Sequence, residues 1–148
     1  MHWNGKDGAI FQAQKEYIDT AIIPLTWIDG SEQGFLFAAS AADFILSLGN
    51  MIENQFKGRI VLFPSFSYTK KQDKQSLLDD WSEELKNAGF KHIFFITSDR
   101  EWNTMEEEKN VIWIPSIPLE SMDQKMKNSI LEDQLRQLIP IFAKKWAI

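Results

Sequence analysis

Four short apolar runs constrain this chain more than any other feature: TAIIPL (20–25), RIVLFP (59–64), HIFFIT (92–97) and NVIWIP (110–115). Each is continuous rather than alternating, the pattern of strands buried on both faces within a parallel sheet. Helical patterns lie between them. Beyond Ser40, a candidate N-cap, Phe44, Ile45, Leu48, Met51, Ile52 and Phe56 form one stripe, with Gly58 at the expected stop. A second stripe runs Leu77, Leu78, Trp81, Leu85 and Ala88 to Gly89. The longest spans Met122 to Trp146, with Lys144 and Lys145 complementing the dipole at its end and a kink or break expected before Pro140. Residues 7–17 read as a leading helix capped by Asp7, with Ile10, Phe11 and Tyr17 inward. Residues 98–109 open on SDRE, a capping-box pattern, and just allow a parallel crossover, an antiparallel fourth strand being the alternative.

Strand-then-helix alternation predicts an α/β fold with right-handed crossovers. The expected architecture is a three-layer sandwich of flavodoxin-like or Rossmann-like type, with four mostly parallel strands in the order 2-1-3-4. At 148 residues the chain suits one domain, 1–148, able to bury a core of its own.

Composition narrows function by exclusion. A net charge of −5 argues against a nucleic-acid partner, because phosphate binding needs a positive field. No cysteine is present, which removes disulfides, thiolate zinc sites and cysteine nucleophiles and fits a reducing compartment. No run approaches the roughly 20 apolar residues of a membrane span, and the first residues lack a secretory pattern, so a cytoplasmic protein with no membrane partner is expected. Neither a G-x-G-x-x-G turn nor a G-x-x-x-x-G-K-[ST] loop occurs. His2 and His92 are poorly placed for acid–base work, and no G-x-S-x-G elbow exists.

Ligands of open parallel sheets bind beyond the carboxyl ends of the strands. Those ends would bring Thr26, Ser65, Ser67, Tyr68, Thr97, Ser98, Asp99 and Ser116 to one edge, with Trp27, Phe66 and Trp102 near. These eight are the candidate ligand-binding residues; the competing reading makes them caps and corner packing, which the same residue types serve in most α/β proteins. Asp29, Asp73, Asp99 and Glu101 could approach that edge, but no metal site, catalytic residue or cofactor is assigned. Lys70 and Lys71 could meet a phosphate there. The acidic runs Asp79, Asp80, Glu83, Glu84 and Glu106, Glu107, Glu108 read as solvated surface. GFLFAASAA (34–42) either starts its helix early and packs in the core or forms an exposed docking segment.

An N-terminal Trp and short helix, followed by KEYIDTAIIPL, QFKGRIVLFPSFSY, ITSDREW and IWIPSIPLE, resembles the YpiF-like family of uncharacterised Bacillus proteins. The resemblance implies a bacterial cytoplasmic protein of one domain and carries no catalytic residues or cofactor with it. Six Trp and eleven Phe, without a catalytic motif, point to a non-catalytic module that binds a protein partner or forms a homo-oligomer. The alternative is a small-molecule or phosphate-ligand binder, or a diverged enzyme, using the hydroxyl-rich edge.

Overall fold

The computed structural model describes residues 1–105 and 110–147. In chain order these form α1 (Gly5–Ala13), β1 (Thr20–Ile28), α2 (Phe35–Gln55), β2 (Ile60–Leu62), β3 (Phe66–Thr69), α3 (Lys74–Asn87), β4 (His92–Thr97), a 3-10 helix (Arg100–Met105), β5 (Val111–Trp113) and α4 (Gln124–Trp146). The acidic run 106–108 lies outside the described residues. The strands make one parallel sheet in the order β2-β1-β4-β5, with β3 also pairing β1. The four apolar runs therefore take the expected order, and the fourth is parallel.

The fifth strand is the departure from expectation, and two prolines explain it. Ile22 faces Leu62, but Leu25 faces Phe66. Residues 63–65 thus stand against only Ile23 and Pro24, a bulge of one extra residue between β2 and β3. Thr20 and Ile22 turn their backbone polar groups toward β2, bonding Arg59 and Phe63. By the two-residue period Pro24 points the same way and has no N–H to give. The ladder is interrupted where β1 cannot donate, and Pro64, equally unable to donate, sits inside the interruption. The run RIVLFP thus does not end the pairing at Pro64: the chain re-pairs with β1 at once, and β1 itself runs on to Ile28.

Both faces of the sheet are covered. Ala21, Ile23, Leu25, Ile93 and Phe95 pack with Leu78 and Leu85 of α3, while Phe11 of α1 lies against this side. Ile22, Phe94, Ile96 and Ile112 face Phe44, Leu48 and Ile52 of α2 and Leu131, Leu135, Leu138 and Phe142 of α4. Each Ile, Leu or Phe among them, fully buried, contributes roughly 1.5–3 kcal/mol. Gly49 brings α2 onto the sheet at the proline itself: a Cβ there would lie 3.3 Å from Leu62 Cδ1 and 3.7 Å from Pro24 Cγ.

Helix ends differ in places from the sequence reading. α1 is capped by Asn4, which accepts from the Asp7 amide, while the Asp7 carboxylate accepts from the His2 amide. Tyr17 and Ile10 point outward, and α1 buries no residue. α2 begins at Phe35, five residues before Ser40, and ends at Gln55. α3 is capped by Asp73 and closes in a Schellman turn: Phe90 N–H bonds Leu85 and Gly89 N–H bonds Lys86, with Gly89 at φ +102°. α4 is capped by Asp123 and continues through Pro140 without a break.

At 21 residues α2 is long and apolar enough to cross a membrane by length and composition, which polar interruptions hid from a search for continuous apolar runs. Its buried stripe, from Ala38 to Glu53, instead lies in the core.

Candidate functional site

The carboxyl edge of the sheet is built by the bulge. Because the chain re-pairs after Pro64, Thr26 and Ser67 become register partners, and their hydroxyls meet at 2.9 Å. One residue further on, the strand period turns Tyr68 into the core against Trp102 of the 3-10 helix, ring edge to face at 5.8 Å. The Trp102 indole N–H donates to the Tyr68 hydroxyl at 2.5 Å, and that hydroxyl donates to Asp99 Oδ2 at 2.5 Å. Tyr68 and Trp102 are 1 % exposed and Asp99 2 %, so the chain of donors runs through the interior.

Asp99 is held on its other sides as well. Its Oδ1 accepts the Glu101 amide at 3.1 Å, and its own amide donates to Thr97 Oγ1 at 3.0 Å. Lys74, in the first turn of α3, places its ammonium 3.7 Å from Asp99 Oδ2 and also pairs with Glu101. That ammonium lies 5.8 Å from the Tyr68 ring and 5.4 Å from Trp102. Lys74 holds the Glu101 carboxyl below its ordinary value. Burial, then the bond to Asp99, pushes the Tyr68 phenol well above its ordinary value, so it stays protonated and serves as a donor.

Of the eight residues expected at this edge, Thr26, Ser67, Tyr68, Thr97, Ser98 and Asp99 are drawn into internal hydrogen bonds. Ser98 donates to the Ile114 carbonyl at 2.7 Å, and its own carbonyl accepts the Trp113 indole N–H at 3.3 Å. Ser65 lies in the bulge and Ser116 beyond β5, both partly exposed. No buried polar side-chain atom among the described residues lacks a partner. The carboxylates disperse: Asp29 accepts the Ser31 amide, Asp73 caps α3, and no group that could hold a metal ion is found among the described residues.

Ser67 in this network is itself exposed, and the same edge also carries exposed apolar residues. Phe35, Leu36 and Phe37 open α2 at 63 %, 74 % and 63 % exposure, and Ile28, at the end of β1, is 54 % exposed. The segment 34–42 does start its helix early, but only Ala38 and Ala41 reach the core from that stretch. Phe37 leans on Trp27, ring centroids 5.8 Å apart, and the Lys70 ammonium lies 5.9 Å from the same indole. Lys70 also pairs with Glu101 at 3.7 Å.

A second surface lies away from the strand ends. A cavity of about 880 Å³ opens between α1 and α3, floored by Phe63 and Phe90 and walled by Trp3 and Trp81. The first residues hold its wall in place: Leu62 N–H bonds the Met1 carbonyl at 2.7 Å, and His2 bridges to Leu62 as a short parallel extension of the sheet. Trp3 then stacks on Phe63, 5.0 Å between centroids. The sequence reading missed this trough. Its signal was Gly5, Gly8 and Ala9 on a helix facing an aromatic stripe, which leaves the two helices unable to fill the space between them.

The family model described as "Protein of unknown function (DUF2487)" matches residues 9–146, and the chain belongs to that family. It is similar to the "Uncharacterized protein YpiF" of Bacillus subtilis (strain 168), 31 % identical over 148 residues that span 99 % of each chain. No solved structure matches it.

Proposed function

We propose that this member of the DUF2487 family is a non-catalytic α/β module that binds a protein partner through the apolar first turn of α2 and the end of β1. The observation that carries the reading is the contrast at one edge. Six of the eight polar candidates there are hydrogen-bonded within the molecule, while Phe35, Leu36, Phe37 and Ile28 are exposed. Apart from the contact of Phe37 with Trp27, these exposed apolar residues satisfy nothing in the monomer, and exposed apolar surface of this kind marks an interaction site. Trp27 below and Lys70 beside it supply the aromatic and cationic anchors common in such interfaces. We place the protein in the bacterial cytoplasm, a reading supported by its lack of cysteine and by its Bacillus relative.

A photo-crosslinking residue at position 36 tests this in living cells, with the same residue at 145 as control. A discrete protein adduct at 36 alone is expected, and the purified adduct partner should bind wild type but not a Phe35→Ser/Phe37→Ser variant. An adduct with a second copy would make the partner a homo-oligomer. No adduct above control, with the folded protein present, would contradict the proposal.

A further inference from the structure

We propose that the trough between α1 and α3 is a binding site for a small organic cation with a flat apolar body. The body rests on Trp3, Phe63 and Trp81, and the charge faces Asp80 and Glu84. Its size, about 880 Å³, falls within the range of small-molecule sites. Small residues on α1 leave it room: Gly5, Gly8 and Ala9 line it, and a Cβ on Gly5 or Gly8 would meet nothing within 4 Å. Trp3 is 66 % exposed although it already stacks on Phe63, and its free face is left to the trough. Phe63 in turn meets Trp81 edge to face at 6.2 Å, which fixes the angle between the wall and the floor.

The polar lining gives the sign of the ligand. Asp80 and Glu84 line the trough four residues apart on α3, where like charges share one helix face and repel. Neither side chain has an ion-pair partner among the described residues. Lys15, just beyond the end of α1, is the cation lining the trough, and it lies 5.9 Å over the Phe11 ring. Aromatic faces attract cations through their quadrupole, and two carboxylates at the rim add to that attraction for any ligand carrying a positive head. An anionic ligand would meet those carboxylates and be left with Lys15 alone.

The test uses the full chain and three soluble probes: benzyltrimethylammonium, its uncharged near-isostere 2-methyl-1-phenyl-2-propanol, and 3-phenylpropanoate. Amide and indole NMR shifts report the place, and tryptophan fluorescence reports affinity. The cation is expected to bind about tenfold more tightly than the alcohol, a preference of the size cation–π and rim charges supply. Shifts should cluster at Gly8, Ala9, Ala88 and the Trp3 and Trp81 indoles. Glu84→Gln with Asp80→Asn should lower cation affinity about fivefold while leaving the alcohol unchanged, and added salt should act in the same direction. Trp3→Ala, at an exposed position, should weaken both. Equal binding of alcohol and cation, tighter binding of the carboxylate probe, or no shifts at the trough would each overturn the proposal.

Discussion

The carboxyl edge of the sheet and the trough between α1 and α3 are opposites. At the edge Tyr68, Trp102, Asp99 and Lys74 close a space that this fold type usually leaves to a ligand. In the trough, aromatic side chains surround a space that no side chain enters. The difference is one of commitment. Groups at the edge are bonded to one another and hold the fold, so they are costly to change. The floor of the trough, Phe63 and Phe90, belongs to the core, but its exposed rim, Trp3, Asp80 and Glu84, can be changed at small cost to the fold.

Substitutions at the edge should therefore have the largest effects. Asp99→Ala would leave the Tyr68 hydroxyl and the Lys74 ammonium without their buried acceptor, and a loss of about 3–5 kcal/mol is expected in urea unfolding. Trp102→Ala would open a cavity under the 3-10 helix and cost about as much. A loss under 1 kcal/mol in both would mean that the edge is not part of the core. Gly49→Val should cost about 1–3 kcal/mol by forcing α2 away from Pro24 and Leu62.

The pH dependence of the edge has a definite sign. The folded state raises the Tyr68 phenol above its ordinary value of 10.0, so the unfolded chain releases that proton first. The stability this contributes is present in full below pH 10.0 and is lost as pH rises beyond it. Wild type should lose stability more steeply than Tyr68→Phe between pH 10 and 11, and parallel curves would remove Tyr68 from the account. At the opposite end of the sheet Asp19 behaves in the reverse sense. Burial raises its carboxyl, but hydrogen bonds from Arg59 and Thr20 outweigh that and lower it. Its contribution is present above the ordinary carboxylate range and is lost as pH falls below it.

The smallest stability effects belong to the exposed surfaces. Glu84→Gln and the Phe35→Ser/Phe37→Ser pair should each change unfolding free energy by no more than about 0.5 kcal/mol, as surface substitutions do, while altering binding. A large loss of stability in either would move that surface from function to fold.

Much of the fold was legible because it rests on local periodicity. The apolar runs, the α3 stripe ending at Gly89 and the strand order follow from patterns of two and of about 3.6 residues. The bulge was not legible, since it arises from the register of two strands some forty residues apart, where the missing donor of Pro24 meets an interruption around Pro64. That misreading turned FSYT into a loop and placed Thr26 and Trp27 beyond a strand that in fact contains them. The hydroxyls were located at the right edge, but their partners were hidden: Trp102 reaches Tyr68 across 34 positions in sequence. Lys74 gave no sign in the sequence of being the cation beside Asp99. The trough's small residues, Gly5, Gly8 and Ala9, were in the sequence, but that they face α3 across a gap depends on how the two helices pack.

Hydrogen exchange of the tryptophan indoles tests the contrast most directly, because Trp102 belongs to the closed edge and Trp3 to the open trough. In deuterated buffer the Trp102 indole N–H should exchange only on global unfolding, while that of Trp3 should exchange at a rate close to a free indole. If Trp102 exchanges as fast as Trp3 in the stable, folded protein, the edge opens to solvent, and its hydroxyls and Asp99 are available to a ligand after all.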